Sequence, residues 1–417
     1  MESPVARMRI LFIEQFFYPE GWGGAQLPRD LTIGLAESGC DVEVICGKDQ
    51  YAQAEGEAVQ DPRARGVRIQ RIPRIIGGDI HRYKLLRQLW FYACALPLLL
   101  LRRRPDVIVT QTNPPLVVPI AVLAARFHRR PCMIIAQDVY PEVMLAHGML
   151  RERSLAARLL FRLFAWSYRK ARIVVSLGPV MTDRLAAKGV ARGRIVEICN
   201  WATGDDRVVR GPENLLRAQW GLDGCFVLMY SGNLGFAHDV ETPIRAMKLL
   251  RSRVPGVRLV FVGKGSRLEQ ARALVDELGI DDVVQFRAFV PFEQLPHSLG
   301  VADAALVTLL PGFEGLVVPS KLFGYMSRAV PTLYVGPDSD VARFIESSGG
   351  GTCVASGAVD AFADVVERWA ARESDLLSAG KAAAEYYLGH LSKDRGIAAY
   401  RAAVVKAAES SPAGTAL

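Results

Sequence analysis

The sequence predicts an α/β protein built from two doubly wound domains. Three observations carry that prediction. Short apolar runs rich in β-branched residues recur along the chain, longer amphipathic stretches separate them, and the alternation occurs twice over. Runs that are apolar throughout have both faces covered, as in parallel sheets flanked by helices.

The first series of runs is Arg9–Phe12, Val42–Cys46, Val67–Ile72, Val107–Thr110, Met133–Ala136, Ile173–Ser176 and Ile195–Cys199. The second is Phe226–Ser231, Arg258–Gly263, Val283–Phe286, Ala304–Leu309, Pro331–Val335 and Gly351–Val354. Helical periodicity lies between them, as in Leu27–Ser38, Val180–Lys188, Val240–Arg253 and Arg267–Leu278. Gly, Asp, Thr, Pro and charge cluster at Asn200–Glu213, where the joint is expected. An N-terminal Rossmann-like domain over 1–203 and a C-terminal one over 214–385 follow. A last helical pattern, Lys381–Ala408, is weakened at Gly389 and Gly396. It predicts a helix over 386–408 that packs back toward the N-terminal domain, followed by a frayed tail.

Half of the 417 residues are hydrophobic and 23% are charged, which excludes wholesale disorder. The 51 Lys+Arg against 43 Asp+Glu give +8, a balance that suits an anionic partner without choosing one. Seven scattered Cys with no CxxC argue for a reducing compartment, with neither a disulfide framework nor a zinc site. The apolar stretch Gln88–Leu101 is short and holds Pro97. Val107–Ala125 is interrupted by Gln111, Thr112, Asn113 and three Pro, so no spanning helix is expected. The expected location is cytoplasmic, with peripheral attachment to the inner membrane face open.

Ligands of open α/β sheets sit beyond the carboxyl ends of the strands, and the two-domain plan predicts a cleft site. The glycine-rich segments stand just after strands. Tyr18-Pro-Glu-Gly-Trp-Gly-Gly-Ala-Gln26 follows the first, with Gly23 and Gly24 leading into a helix that has Pro28 in its first turn. Free N–H groups there can meet negative charge, or the segment is an ordinary turn. Tyr230-Ser-Gly-Asn-Leu-Gly-Phe-Ala-His-Asp239 and Phe261-Val-Gly-Lys-Gly-Ser-Arg267 form a second pair of turns. Gly232, Asn233, Lys264 and Arg267 would line a diphosphate cradle. His238 alone is more often structural than catalytic.

The block Pro311-Gly-Phe-Glu-Gly-Leu-Val-Val-Pro-Ser-Lys-Leu-Phe-Gly-Tyr-Met-Ser-Arg-Ala-Val-Pro331 is the most informative. Glu314, Gly315 and Leu316 precede Ser320, the expected helix cap, and Lys321 in the first helical turn. A cation there opposes the helix dipole unless an anion binds, so Lys321 is a candidate ligand residue. Asp338-Ser339-Asp340 is formally a DxD but follows a Gly-Pro turn, and it reads as a helix cap.

Together these segments resemble retaining glycosyltransferases of family 4, which share the two-Rossmann GT-B architecture. The resemblance runs from Met8 to about Arg401 and includes Asn200-Trp201-Ala202, Ser231-Gly-Asn-Leu234 and Val284-Gln-Phe-Arg-Ala-Phe-Val290. Val-Pro-Ser-Lys-Leu-Phe-Gly-Tyr-Met, with Asp138-Val-Tyr-Pro-Glu142, is most similar to the N-acetyl-L-fucosamine transferase branch of O-antigen, capsule and exopolysaccharide synthesis. The resemblance implies a nucleotide-sugar donor, in the first place a UDP-sugar, and no metal or other cofactor. It adds Arg287 and Phe289 to the donor-binding candidates, and Asp138, Glu142 and His238 are the catalytic ones. Asp138 and Glu142 could equally brace their loop.

Two departures stand out. An Arg and a Lys that clamp the donor diphosphate in many members are Asn233 and His238 here. Of two Glu eight residues apart, one matches Glu314 with the other at Leu322, or the second falls on Gly324 and the first on Leu316; either way a carboxylate is missing.

His81–Arg104 and Arg158–Arg172 mix aromatic and aliphatic bulk with Arg and Lys, a pattern suited to an anionic membrane interface or to packing on the sheet. The expected acceptor is a lipid-linked saccharide. A small secondary metabolite, a nucleotide-sugar 2-epimerase and a catalytically silent GT-B partner subunit are the alternatives; no nucleic-acid-binding module is visible.

Overall fold

A computed structural model of the chain describes residues 7–19, 23–48, 61–73, 84–202, 204, 208–210, 213–291 and 294–409. It divides into two compact units. The first comprises Met1–Cys199, Gly315–Val317 and Asp394–Leu417; the second comprises Asn200–Glu314 and Val318–Lys393.

In the first unit seven parallel strands form one sheet: β1 (Arg9–Glu14), β2 (Asp41–Gly47), β3 (Arg68–Ile72), β4 (Val107–Gln111), β5 (Cys132–Ile135), β6 (Ile173–Ser176) and β7 (Ile195–Glu197). Their order is β3-β2-β1-β4-β5-β6-β7. The second unit has β8 (Phe226–Ser231), β9 (Val257–Val262), β10 (Val284–Arg287), β11 (Ala304–Thr308), β12 (Thr332–Val335) and β13 (Gly351–Val354), ordered β10-β9-β8-β11-β12-β13 and again all parallel. The predicted doubly wound α/β class is the observed one.

Every residue of β4, β5, β6, β11 and β12 is buried, which explains why these strands read as unbroken apolar runs. In each sheet the chain reverses its direction of travel once, between β1 and β4 and between β8 and β11. Neighbouring connections leave opposite faces there, so a crevice opens beyond the strand ends.

Three local expectations need correction. Pro28 lies inside the helix Gly23–Glu37, not in its first turn, because the helix begins at the glycine pair. Ser320 stands at the N-cap of Lys321–Met326 without capping it. Its backbone is already helical (φ −65°, ψ −17°), so its hydroxyl does not face the N–H groups of the first turn. The C-terminal pattern is two helices, Glu373–Tyr386 and Lys393–Glu409, separated by a wide turn at Tyr387–Leu391 and extended backbone at Ser392. From Asp394 onward the later helix belongs to the first unit, and it packs at Gly34, where an added Cβ would come within 2.7 Å of Ile397.

Candidate functional site

The crevice of the second unit is built from the loops leaving β8 and β9. Gly263 (φ +142°) and Gly265 (φ +156°) cross the β8 loop so closely that a Cβ on either would stand 2.2 Å from the carbonyl oxygen of Gly232 or Leu234. No side chain fits there, so these glycines are required by loop crossing before any ligand is considered. The crossing is laced by backbone bonds from Gly232 N–H to Val262 O (2.9 Å), Leu234 N–H to Lys264 O (2.8 Å) and Arg267 N–H to Leu234 O (3.0 Å).

Lys321 enters this crossing from the start of its helix. Its ε-carbon would lie 3.1 Å from a Cβ at Gly232. The ammonium donates to Tyr230 Oη at 2.6 Å and stands 4.0 Å from the centroid of that ring. Tyr230 passes the bond on, its hydroxyl donating to Asn233 O at 2.9 Å. Lys321 Nζ is also 3.3 Å from His238 Nε2, and His238 Nδ1 bonds the Thr308 carbonyl at 2.7 Å. Since a carbonyl only accepts, Nδ1 carries the proton and Nε2 presents its lone pair to the ammonium.

Among the described residues no carboxylate joins the cluster, and the charges respond. Burial pushes Lys321 down to about 7. Burial, then the Lys321 charge, pushes His238 down to about 3, so the imidazole is neutral in the folded protein. The result is a desolvated ammonium held by neutral groups, which is the complement of a dehydrated anion.

The remaining candidates divide. Phe289 lies over the same crossing, its Cζ 3.1 Å from where a Gly263 Cβ would be, and its side chain is half exposed. Lys264 is exposed on the loop that leaves β9. Arg267 heads the helix Leu268–Leu278, with Nε on Phe236 O (3.1 Å) and Nη1 on Gln270 Oε1 (3.2 Å). Arg287 turns away, bonding Trp220 O (3.3 Å) and Gln285 Oε1 (2.9 Å) with its guanidinium over the Trp220 ring. Glu314 Oε2 accepts from the Gly312 N–H at 2.7 Å, closing its own turn. Ser339 caps Asp340–Ser348 and Asp338 pairs with Arg343, so Asp338-Ser339-Asp340 is a helix start.

In the first unit, Gly23 and Gly24 open the helix Gly23–Glu37; Gly21 and Trp22 lie outside the described residues. Asp138 follows β5, its N–H donating to Thr112 Oγ1 at 3.0 Å, and it pairs antiparallel with Val317. Val139 N–H donates to Leu316 O at 2.9 Å, and Gly315 (φ +68°) leaves no room for a Cβ beside the Val180 carbonyl, 2.9 Å away. Burial pushes Asp138 up to about 6. Glu142 is engaged differently, in an ion pair with Lys188 whose ammonium also faces the rings of Phe161 and Tyr168.

Sequence reasoning missed Tyr230 and Tyr325. Tyr325 Oη accepts from Ser231 N–H (2.7 Å) and donates to Met229 O (3.2 Å), fixing the end of β8. Both lie within the motif segments, but a tyrosine in an apolar run reads as core, and nothing local shows where its hydroxyl ends.

Among the described residues no group of three or more His, Cys, Asp or Glu could hold a metal ion, and no helix is long and apolar enough to cross a membrane.

Comparisons with known proteins agree with this architecture. Residues 23–201 match the family described as glycosyl transferase 4-like domain, and residues 213–386 match glycosyl transferases group 1. The chain is 30% identical over 257 residues to WbjE of Pseudomonas aeruginosa, a glycosyltransferase by name, covering 59% of this chain and 62% of that protein. It is 26% identical over 330 residues to WcaI of Escherichia coli (strain K12), assigned by name alone to colanic acid biosynthesis, covering 76% and 80%. The alignment therefore spans less than two thirds of the first of these relatives. Among solved structures, Anabaena HepE in complex with UDP-glucose superposes with a TM-score of 0.69 at 15% identity, covering 97% of this chain and 99% of that one.

Proposed function

Because the chain belongs to the family 4 glycosyltransferases of GT-B architecture, we propose that it moves a sugar from a nucleotide-sugar, in the first place a UDP-sugar, to a lipid-linked saccharide of a bacterial surface polysaccharide. The observation that carries the donor reading is Lys321, a desolvated ammonium held by the neutral Tyr230 and His238 side chains at the reversal point of the second sheet. HepE, of like fold, has been seen with UDP-glucose, and WcaI is named for polysaccharide synthesis; both favour this choice of donor and pathway.

In the proposed reaction the bond from the sugar's anomeric carbon to the diphosphate oxygen breaks, and the acceptor oxygen bonds the same face of that carbon, retaining its configuration. The acceptor's proton leaves as that bond forms, taken by the departing phosphate or by a base of the protein. Lys321 neutralises charge that grows on the leaving group, and the Gly232 and Lys264 loops approach it through backbone; no metal is invoked. Phe289 offers its exposed ring to the base. His238, neutral, orients Lys321 and carries no proton to the reaction. Asp138, raised toward neutrality by burial, is the protein group suited to act as a base on the acceptor. The N-acetyl-L-fucosamine transferase branch supplies the first acceptors and donors to try.

A thermal-shift panel of UDP, GDP, ADP and TDP with EDTA present tests the reading. A ligand that binds only the folded state raises Tm by mass action. A rise with UDP alone supports it. No rise with any nucleotide refutes the donor site and favours a silent partner subunit.

A further inference from the structure

We infer that the outward side of three helices of the first unit, Lys84–Leu101, Val117–His128 and Leu155–Lys170, is a docking surface for an anionic lipid bilayer. The inference deepens the reading of a lipid-linked acceptor, but it stands on different residues from the donor site.

The three helices connect β3 to β4, β4 to β5 and β5 to β6. Right-handed crossovers in the observed strand order lay all three on one face of the sheet. The first packs on the second and the second on the third, and His128 Nε2 bonds the Leu99 carbonyl at 2.8 Å where the first two meet.

Their outward faces are apolar where water-facing helices are polar. On Lys84–Leu101 the row at every fourth residue, Leu85, Leu89, Ala93, Pro97 and Leu101, faces outward, and Leu101 is 84% exposed. That row holds no charge, although helices apolar all round are normally buried. The second helix exposes Leu123 and, one turn on, Phe127 at 66%; the third exposes Leu155 at 81% and Leu159. Large side chains exposed singly need no explanation, whereas such rows on three adjoining helices mark a contact surface.

Charge identifies the occupant. None of the three helices contains an Asp or Glu. Arg103, Arg126, Arg129, Arg158 and Arg162 surround the apolar rows, and none has an ion-pair partner among the described residues. Two copies meeting through this face would oppose arginines with no carboxylate to pair them. An anionic headgroup layer accepts the cations while its acyl boundary takes the leucines and Phe127.

The test is co-sedimentation of the full chain with sucrose-loaded vesicles of phosphatidylcholine alone or with phosphatidylglycerol at about 7:3. We expect binding to the mixed vesicles, at least tenfold weaker binding to phosphatidylcholine, and release by salt, because the cations act through a screened attraction. Leu89→Asp with Phe127→Asp should lower the partition at least tenfold, and Arg126→Glu with Arg162→Glu should remove the preference for the anionic lipid. Both double variants should keep the wild-type Tm and nucleotide-induced shift, since the changed side chains face outward. No binding to mixed vesicles, or undiminished binding by the leucine–phenylalanine variant, overturns the inference. So does a dimer in solution that the same variant dissolves, which would assign the face to a second copy. Vesicle binding without any nucleotide shift would leave this inference standing and sink the donor reading instead.

Discussion

The ammonium of Lys321 lies 3.3 Å from Nε2 of His238, whose other ring nitrogen is fixed on the Thr308 carbonyl. This contact accounts for one departure from the family pattern. Where many members carry a cation, a neutral imidazole accepts a cation delivered from another helix. A lysine at 238 would bring two ammonium groups to about 4 Å, costing ~4 kcal/mol at an effective dielectric near 20. His238→Lys should therefore melt below wild type in the absence of ligand, and Lys321→Ala added to it should restore some of the loss. Thermal unfolding decides; a double variant that melts below His238→Lys alone would refute the exchange.

Lys321 should also cost stability in the unliganded protein. Its folded pKa, about 7, is below the ordinary 10.5, so between those values the unfolded chain binds the extra proton and stability rises with pH. Below pH 7 the full penalty applies. Lys321→Met should melt higher than wild type at pH 6, by roughly 5 °C or more, with the gap closing toward pH 10. Thermal unfolding across that range is the check.

The crossing glycines are predicted to be intolerant for a reason separate from ligand. Gly263→Ala or Gly265→Ala must push the crossing backbones apart and holds a non-glycine residue at positive φ, costing about 1–3 kcal/mol or more. Gly279→Ala, also at positive φ but in open space, should cost about 1 kcal/mol. Urea unfolding of the three variants gives the comparison.

The missing carboxylate can be placed by substitution. Leu322 is fully buried, so Leu322→Glu should cost several kcal/mol or prevent folding. At Gly324 an added Cβ meets only Arg328 Nη1, at 3.8 Å, so Gly324→Glu should fold. We expect it to raise affinity for UDP over inorganic diphosphate, which a pair of titrations would show; unchanged selectivity would dissociate that position from the ribose.

Asp138 makes a pH prediction for the rate, where Lys321 makes one for stability. As a base it works deprotonated, so the rate should rise as pH passes about 6. Asp138→Asn should lower kcat at least a hundredfold with donor Kd unchanged, and abolish that rising limb. A variant that loses kcat but keeps the limb would make Asp138 a brace for its loop.

Much of the architecture was legible in the sequence. All thirteen runs are strands: the central ones, buried on both faces, leave an undiluted hydrophobic signal, while the edge strands β3, β7, β10 and β13 are only partly buried. Lys321 was legible as a cation placed against a helix dipole. Its surroundings were not. Tyr230, His238 and Thr308 come from segments up to 91 residues away and meet only through the strand order. Ser320 shows the limit of local rules: the residue type suits a cap, and the loop that delivers it holds helical dihedrals instead. The ion pair of Glu142 with Lys188 likewise joins residues 46 apart, beyond any spacing rule.

The central claim is that Lys321 receives the donor diphosphate. Its most direct test is calorimetric titration of UDP at pH 8 in buffers of different ionisation enthalpy. Bound diphosphate should raise the lysine pKa from about 7, so wild type should take up close to one proton per UDP. Lys321→Met should bind at least tenfold more weakly, with that uptake gone. Equal proton uptake by wild type and Lys321→Met would contradict the account.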